Sequence, residues 1–504
     1  MQKNVLEYLE KTAALFADKT AFTDGTKGLS FCEVQTRAQS IGSALCAYSG
    51  GRVLVFMDKS PEMVTAFLGV AYSGSTYVPM DRDMPPERIA RILEKLAPAA
   101  AVCDAKAAEK LAGFGFTGDV FLYDDIIQAP VDMAALDAIR AKQVDTDPLY
   151  IVFTSGSTGV PKGVVATHRS VINYIDNLTG ILGITEDTVF GNQVPLYLDA
   201  CLKEVYSTLK CGASTVILPK SLFMFPVRLI AFMNEHNVNT ICWVSSALSI
   251  ISGLGALDAV VPVHLHTVAF GSEVFPMKQF RAWLDALPAA RFFNLYGPTE
   301  ATGMSCYYEV NRQALPEEAI PIGRAFPNVD VFLVADGQRV TEPDAQGLIT
   351  IRGAGIAPGY YDDEDRTNEV YIQNPLHNHY RETVYNTGDI GKYNAAGELV
   401  YVCRRDSQIK RHGYRVELTE IESIASGVED IAIACCVYSA RYDSIGLYYC
   451  GQPEKKVFAK ALKTRLPHYM QPNSIVKLDE MPRSGFHKVD RTALLNRLEV
   501  ELNG

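Results

Sequence analysis

The segment Tyr150-Ile-Val-Phe-Thr-Ser-Gly-Ser-Thr-Gly-Val-Pro-Lys-Gly-Val164 limits the fold more than any other stretch of the chain. Its apolar start predicts a buried strand. Its continuation, Thr154 to Gly159, is a loop of hydroxyl and glycine residues followed by one lysine, Lys162. Glycines let backbone N–H groups approach a ligand closely, and hydroxyls and a lysine add donors and charge. The combination suits phosphate oxygens. It is not a Walker A loop, which places Gly-Lys-Ser/Thr after four intervening residues. Here Lys162 lies between Pro161 and Gly163. The plain alternative is a Ser/Gly-rich surface loop.

Around this segment, strand and helix patterns alternate. Residues 1–50 read as helix, strand and helix, with 29–34 leading into a helix over 35–48. Residues 53–57 predict a short buried strand, 62–73 an amphipathic helix ending near Gly74, and 76–81 another strand. Pro85-Pro86-Glu87-Arg88 favours a helix start. The alternation runs to about residue 290 and predicts layered, mostly parallel sheets with helices. After Pro321 the pattern turns antiparallel, in 329–334, 348–351 and 385–402, consistent with a small barrel-like part. Residues 407–504 fit a small α+β module. A chain of 504 residues exceeds one ordinary core, so two domains are expected, 1–405 and 406–504.

The net charge of −11, without basic runs, argues against nucleic acid as a partner. Eleven cysteines without a C-x-x-C pair fit free thiols in a reducing cytosol, and no spacing suggests zinc. The chain shows no signal-peptide profile and no apolar run of ~18 residues, so a cytoplasmic protein without membrane spans is expected.

Four further motifs follow the opening loop in order: Asn294-Leu-Tyr-Gly-Pro-Thr-Glu-Ala-Thr302, Tyr385-Asn-Thr-Gly-Asp389, Arg404-Arg-Asp-Ser-Gln-Ile-Lys-Arg-His-Gly413 and Lys488-Val-Asp-Arg491. The series resembles the adenylate-forming superfamily of acyl-CoA ligases, luciferases and amino-acid adenylation domains. The resemblance covers nearly the whole chain. It implies ATP and Mg²⁺. Thr154, Ser155, Gly156, Ser157, Thr158, Gly159 and Lys162 would hold phosphates. Asn294, Tyr296, Gly297 and Thr299 would hold adenine and the α-phosphate, with Glu300 on the metal. Asp389 and Arg404 would hold the ribose. Lys488 is the expected catalytic lysine of the first half-reaction, with Thr154 and Lys162 assisting. Asp406 is the expected hinge of a mobile C-terminal domain, and Gly413 matches a thiol-tunnel glycine. Cys403 stands where relatives usually have Gly, and Phe486-His487 replaces a flexible Asn-Gly pair.

The same resemblance places Asp199 where amino-acid-activating relatives pair with the substrate ammonium. Ala200, Lys203, Ala269, Gly271, Leu295, Gly303 and Met304 fall at pocket-lining positions, with Gly271 leaving room for a side chain. Residues 240–246 contribute one more position, in uncertain register. Lys203 admits two readings: a site for a second substrate carboxylate, favouring glutamate or a similar acid, or an i,i+4 partner of Asp199. The tail also resembles free-standing D-alanine–carrier-protein ligases. The expected activity is therefore amino-acid adenylation followed by transfer to the phosphopantetheine thiol of a separate carrier protein. The alternatives are an acyl- or aryl-CoA ligase and a catalytically silent adenylate-binding protein.

Overall fold

A computed structural model describes residues 2–155, 161–316, 319–405, 408–483 and 489–503. The chain divides into two compact units. One comprises Met1–Arg82, Leu96–Val152 and Gly163–Cys403; the other comprises Asp83–Lys95, Phe153–Lys162 and Arg404–Gly504. The fold is α/β, with mostly parallel sheets, an antiparallel barrel-like part and a small α+β part.

A nine-stranded sheet carries much of the larger unit. From one edge its strands are Arg324–Ala325, Cys306–Glu309, Arg291–Tyr296, Thr267–Gly271, Thr240–Val244, Val189–Asn192, Ser214–Ile217, Thr20–Thr23 and Gly28–Ser30. The six from Arg291–Tyr296 to Thr20–Thr23 run parallel. Thr240–Val244 and Thr267–Gly271 are buried at every position, the continuous apolar pattern of a sheet covered on both faces. A seven-stranded sheet includes Arg52–Phe56, Thr76–Met80 and Pro148–Thr154. The switch after Pro321 is a six-stranded sheet in which Val329–Ala335 pairs antiparallel with Gln346–Gly353, and that strand with Thr383–Tyr393.

Local chemistry sets the helix ends. Pro61–Tyr72 starts on the Ser60 cap with Pro at its first turn, and Leu202–Cys211 stops at left-handed Gly212. The helix after residue 30 begins earlier than residue 35. Ser30 and Glu33 form a capping box, so Phe31–Ala44 is helical from its first residue. Trp243 and Trp283 are fully buried, and each indole N–H reaches a carbonyl, of Gly191 at 2.6 Å and of Leu248 at 2.9 Å.

In the smaller unit, Ile431–Ser439, Ser444–Gly451 and Ser474–Lys477 form a sheet flanked by Leu418–Ser426, Lys455–Arg465 and Arg491–Asn503. The hairpin Gln408–Arg411/Tyr414–Glu417 turns through His412 and Gly413, both at positive φ, as a two-residue hairpin requires. All eleven cysteines are free thiols. Among the described residues no helix is long and apolar enough to cross a membrane.

Candidate active site

The strand Arg291–Tyr296 delivers the first group of expected ligand residues, and it is buried from its second residue onward. The Asn294 side-chain amide donates to the carbonyls of Ile320 and Pro321, at 3.3 and 2.9 Å. The Tyr296 hydroxyl donates to Asp389 Oδ2 at 2.5 Å, and both residues are buried. Burial, reinforced by the Asp389 charge, pushes the Tyr296 phenol well up. Asp389 is held in turn: its N–H donates to the Thr387 hydroxyl at 3.0 Å, and that hydroxyl donates to the Ile349 carbonyl at 2.7 Å. Gly388 between them sits at φ +75°, a backbone that favours glycine.

After Tyr296 the chain makes a closed loop. Ser305 N–H donates to the Tyr296 carbonyl at 2.7 Å, and the loop encloses the single turn Thr299–Ala301. Gly297 is obligatory here, because a Cβ would lie 2.2 Å from the Gly303 carbonyl oxygen. Glu300 on this turn is fully buried. Its Oε1 accepts from the Tyr360 hydroxyl at 2.6 Å, and its carbonyl accepts from the Tyr371 hydroxyl at 3.1 Å.

Asp199 reaches this turn from another direction. The strand Val189–Asn192 ends, a loop follows, and the turn Asp199–Cys201 leads into the helix Leu202–Cys211. Burial pushes the Asp199 carboxyl up, opposed by the Lys203 charge and the Thr299 hydroxyl. Glu300, a hundred residues away in sequence, adds like charge in the same direction as burial. The structure thus gathers Asp199, Lys203, Thr299 and Glu300. Ala200 shares the Asp199 turn, and Lys203 is 4% exposed one turn on.

Ala269 and Leu295 are buried on adjacent strands, with Gly271 paired directly to Leu295. That pairing gives Gly271 a backbone role beside the room expected for a substrate. A Cβ there would come 2.2 Å from the Leu295 carbonyl oxygen, so backbone approach alone demands glycine. Gly271→Ala is expected to destabilise the fold by about 1–3 kcal/mol, as overpacked sites do; thermal unfolding measures it, and an unchanged midpoint would leave only the pocket role. Gly303 lies at φ +85° with the Tyr174 ring against its α-carbon, and Met304 is buried beside it. The segment Thr240–Val244 hands over to the helix Ser245–Gly253, whose Ser246 N–H donates to Glu273 at 3.1 Å.

A family model for AMP-binding enzyme matches residues 9–361. The chain belongs to the AMP-binding enzymes. Tyrocidine synthase 1 of Brevibacillus parabrevis is 29% identical over 502 residues, covering 98% of this chain and 45% of that protein. The L-proline–[L-prolyl-carrier protein] ligase of Streptomyces coelicolor is 30% identical over 516 residues, covering 97% of this chain and 95% of that one. The chain thus spans less than half of tyrocidine synthase 1, and 9% of bacitracin synthase 1 of Bacillus licheniformis. Among solved structures, PA1221, an NRPS protein containing adenylation and PCP domains, superposes with a TM-score of 0.83 at 24% identity. It covers 98% of this chain and 84% of that one, and the likeness is one of fold.

In this AMP-binding enzyme the remaining expected residues belong to the smaller unit. Thr154 closes the strand Pro148–Thr154, 8% exposed, with a buried hydroxyl that has no hydrogen-bond partner among the described residues. The Ser155 hydroxyl donates to the Arg415 carbonyl at 2.7 Å. Lys162 is buried at the start of Lys162–Thr167, and Arg404 ends Leu399–Arg404. Gly156, Ser157, Thr158 and Gly159 of the loop, Asp406, expected as the hinge, and Lys488, expected as the catalytic lysine, lie outside the described residues.

Sequence reasoning missed Tyr360, whose hydroxyl holds Glu300, and Glu273, which holds the start of Ser245–Gly253. The Gly359-Tyr360 pair stands in the turn-rich stretch after Gly353, but nothing local links it to Glu300.

Proposed function

We propose that the protein activates an amino acid with an acidic side chain, making an aminoacyl-adenylate from ATP and passing the acyl group to a phosphopantetheine thiol on a carrier protein. One observation carries the substrate reading: a carboxylate and an ammonium, Asp199 and Lys203, stand together beside the Thr299–Glu300 turn. An acidic amino acid matches them with its own ammonium and side-chain carboxylate. Lys203 is buried and Asp199 half-buried, and an acidic substrate would bring each a further group of opposite charge. The carrier step is supported by the prolyl-carrier ligase, similar over nearly its whole length.

In the first half-reaction a substrate carboxylate oxygen attacks the α-phosphorus of ATP. A carboxyl–phosphate anhydride bond forms, the bond to the β-phosphate oxygen breaks, and pyrophosphate leaves. Tyr296 and Asp389 would hold adenine and ribose, Thr299 the α-phosphate, and Lys162 the departing phosphates. Attack brings two anions together, and Lys488 would neutralise the reacting oxygens. In the second half-reaction the thiol sulfur attacks the acyl carbon, a thioester forms, and AMP leaves.

Mg²⁺ fits the donor chemistry of Glu300, a buried carboxylate with its Oε1 fixed by Tyr360. Among the described residues no group of three His, Cys, Asp or Glu could hold a metal alone, so a cation here would rely on phosphate oxygens as well. Bound there, it would neutralise phosphate charge.

ATP–pyrophosphate exchange across an amino-acid panel tests the reading. Glutamate or a similar acid is expected to give the fastest exchange. Lys203→Met should lower its kcat/KM by at least ~30-fold, the loss on truncating one buried charge partner, while favouring glutamine. Preference for a neutral amino acid in the unaltered enzyme would sink the role given to Lys203. No exchange with any amino acid would sink adenylation, and faster thioester formation on CoA than on a carrier would favour an acyl-CoA ligase.

A further inference from the structure

The loop that presents Asp199 is fastened at its root by a lysine the proposed reaction does not use. Lys59 lies between the strand Arg52–Phe56 and the Ser60 cap of the helix Pro61–Tyr72. Its Nζ donates to the carbonyls of Asn192 and Gln193, at 3.0 Å each. Asn192 is the last residue of Val189–Asn192, and the loop carrying Asp199 starts there. The Asn192 carbonyl also accepts from Leu218 N–H at 3.1 Å, and the Cys201 thiol reaches back to the Leu196 carbonyl at 3.6 Å.

Glu204, on Leu202–Cys211, is fully buried, with the Asn192 side chain beside its carboxylate. Asn192 is fully buried as well. A carboxylate at such depth needs cations to offset the lost hydration. Two act on it, Lys203 and Lys59. Burial pulls the Lys59 ammonium down to about 7 and pushes the Glu204 carboxyl up to about 7, and each charge opposes the other's shift.

We infer that Lys59 is a positioning residue for the amino-acid site, holding the root of the 192–199 segment with Glu204 as its buried counter-charge. Its ammonium fixes where Asp199 stands, without touching substrate. The substrate consequence rests on the proposed amino-acid adenylation; the fastening of the segment does not.

Two readouts on Lys59→Met and Lys59→Arg separate the cases. Hydrogen–deuterium exchange needs no activity: the 192–199 amides are expected to exchange faster in Lys59→Met and at the unaltered rate in Lys59→Arg. In pyrophosphate exchange, Lys59→Met is expected to raise the KM for the amino acid about tenfold or more, as loss of bonds from a charged donor would. The KM for ATP should stay within about twofold, and Lys59→Arg should restore the amino-acid KM. Unchanged protection of 192–199, or an equal rise in both KM values, overturns the inference. If the unaltered protein adenylates nothing, the activity proposal fails while the exchange measurement still decides the fastening. Should Lys59→Met not fold, Glu204→Gln serves instead: loosened 192–199 amides support the counter-charge, and unchanged ones overturn it.

Discussion

Asp199→Asn is expected to lower kcat/KM for amino-acid-dependent pyrophosphate exchange by about 10²- to 10³-fold or more. Removing one partner of a buried charge pair leaves the other uncompensated, at ~3–5 kcal/mol. Here the stranded charge would be the substrate ammonium. Stability should move the other way. Burial raises the Asp199 carboxyl, so the folded, substrate-free protein binds that proton more tightly than the unfolded chain does. Stability therefore falls as pH rises from the unfolded value through the folded one, and at neutral pH the ionised group is a burden. The asparagine variant should melt no earlier than the unaltered protein at pH 7, and the difference should vanish at acid pH. A steep loss of melting temperature with activity retained would make Asp199 a structural residue.

Lys488→Ala is expected to slow adenylate formation by about 10²- to 10³-fold, the ~2.7–4 kcal/mol typical of removing a donor aimed at developing negative charge. Attack of one anion on another needs a cation only while the anhydride bond forms. Transfer of the acyl group from preformed adenylate to a thiol has no such encounter and should continue near its original rate. Single-turnover measurement of each half-reaction separates the two. Retained exchange would remove Lys488 from the chemistry, and loss of both halves would point to a fold defect.

What could be read from the sequence is what neighbouring residues decide. The apolar runs became strands within a residue or two of expectation, and the Ser30/Glu33 capping box, visible in the string, corrects the one helix start placed too late. The Tyr296–Glu300 and Thr387–Asp389 segments stood out as short motifs of fixed spacing, and the fold joins them through the Tyr296–Asp389 hydrogen bond. Contacts across long loops were not. Tyr360 lies 60 residues from Glu300, Asp389 lies 93 from Tyr296, and Lys59 lies 133 from Asn192. No periodicity connects such pairs, since the sheet order joins them. Gly271 shows a subtler limit. Glycine is equally readable as room for a substrate and as room for a neighbouring backbone, and only the fold reveals the 2.2 Å approach of Leu295 that requires the second.

The strand order of the nine-stranded sheet has a consequence for how such a pocket changes its preference. From Val189–Asn192 the chain passes to Ser214–Ile217 on one side, while Thr240–Val244 on the other side leads away to Thr267–Gly271. The two connections diverge, and divergence opens a crevice at the carboxyl ends of those parallel strands. Asp199 follows one lip and Ser245 follows the other. A crevice at such a switch point follows from connectivity and not from the size of any one core side chain. The loops that leave those strands can therefore change the lips of the crevice without altering the sheet order beneath.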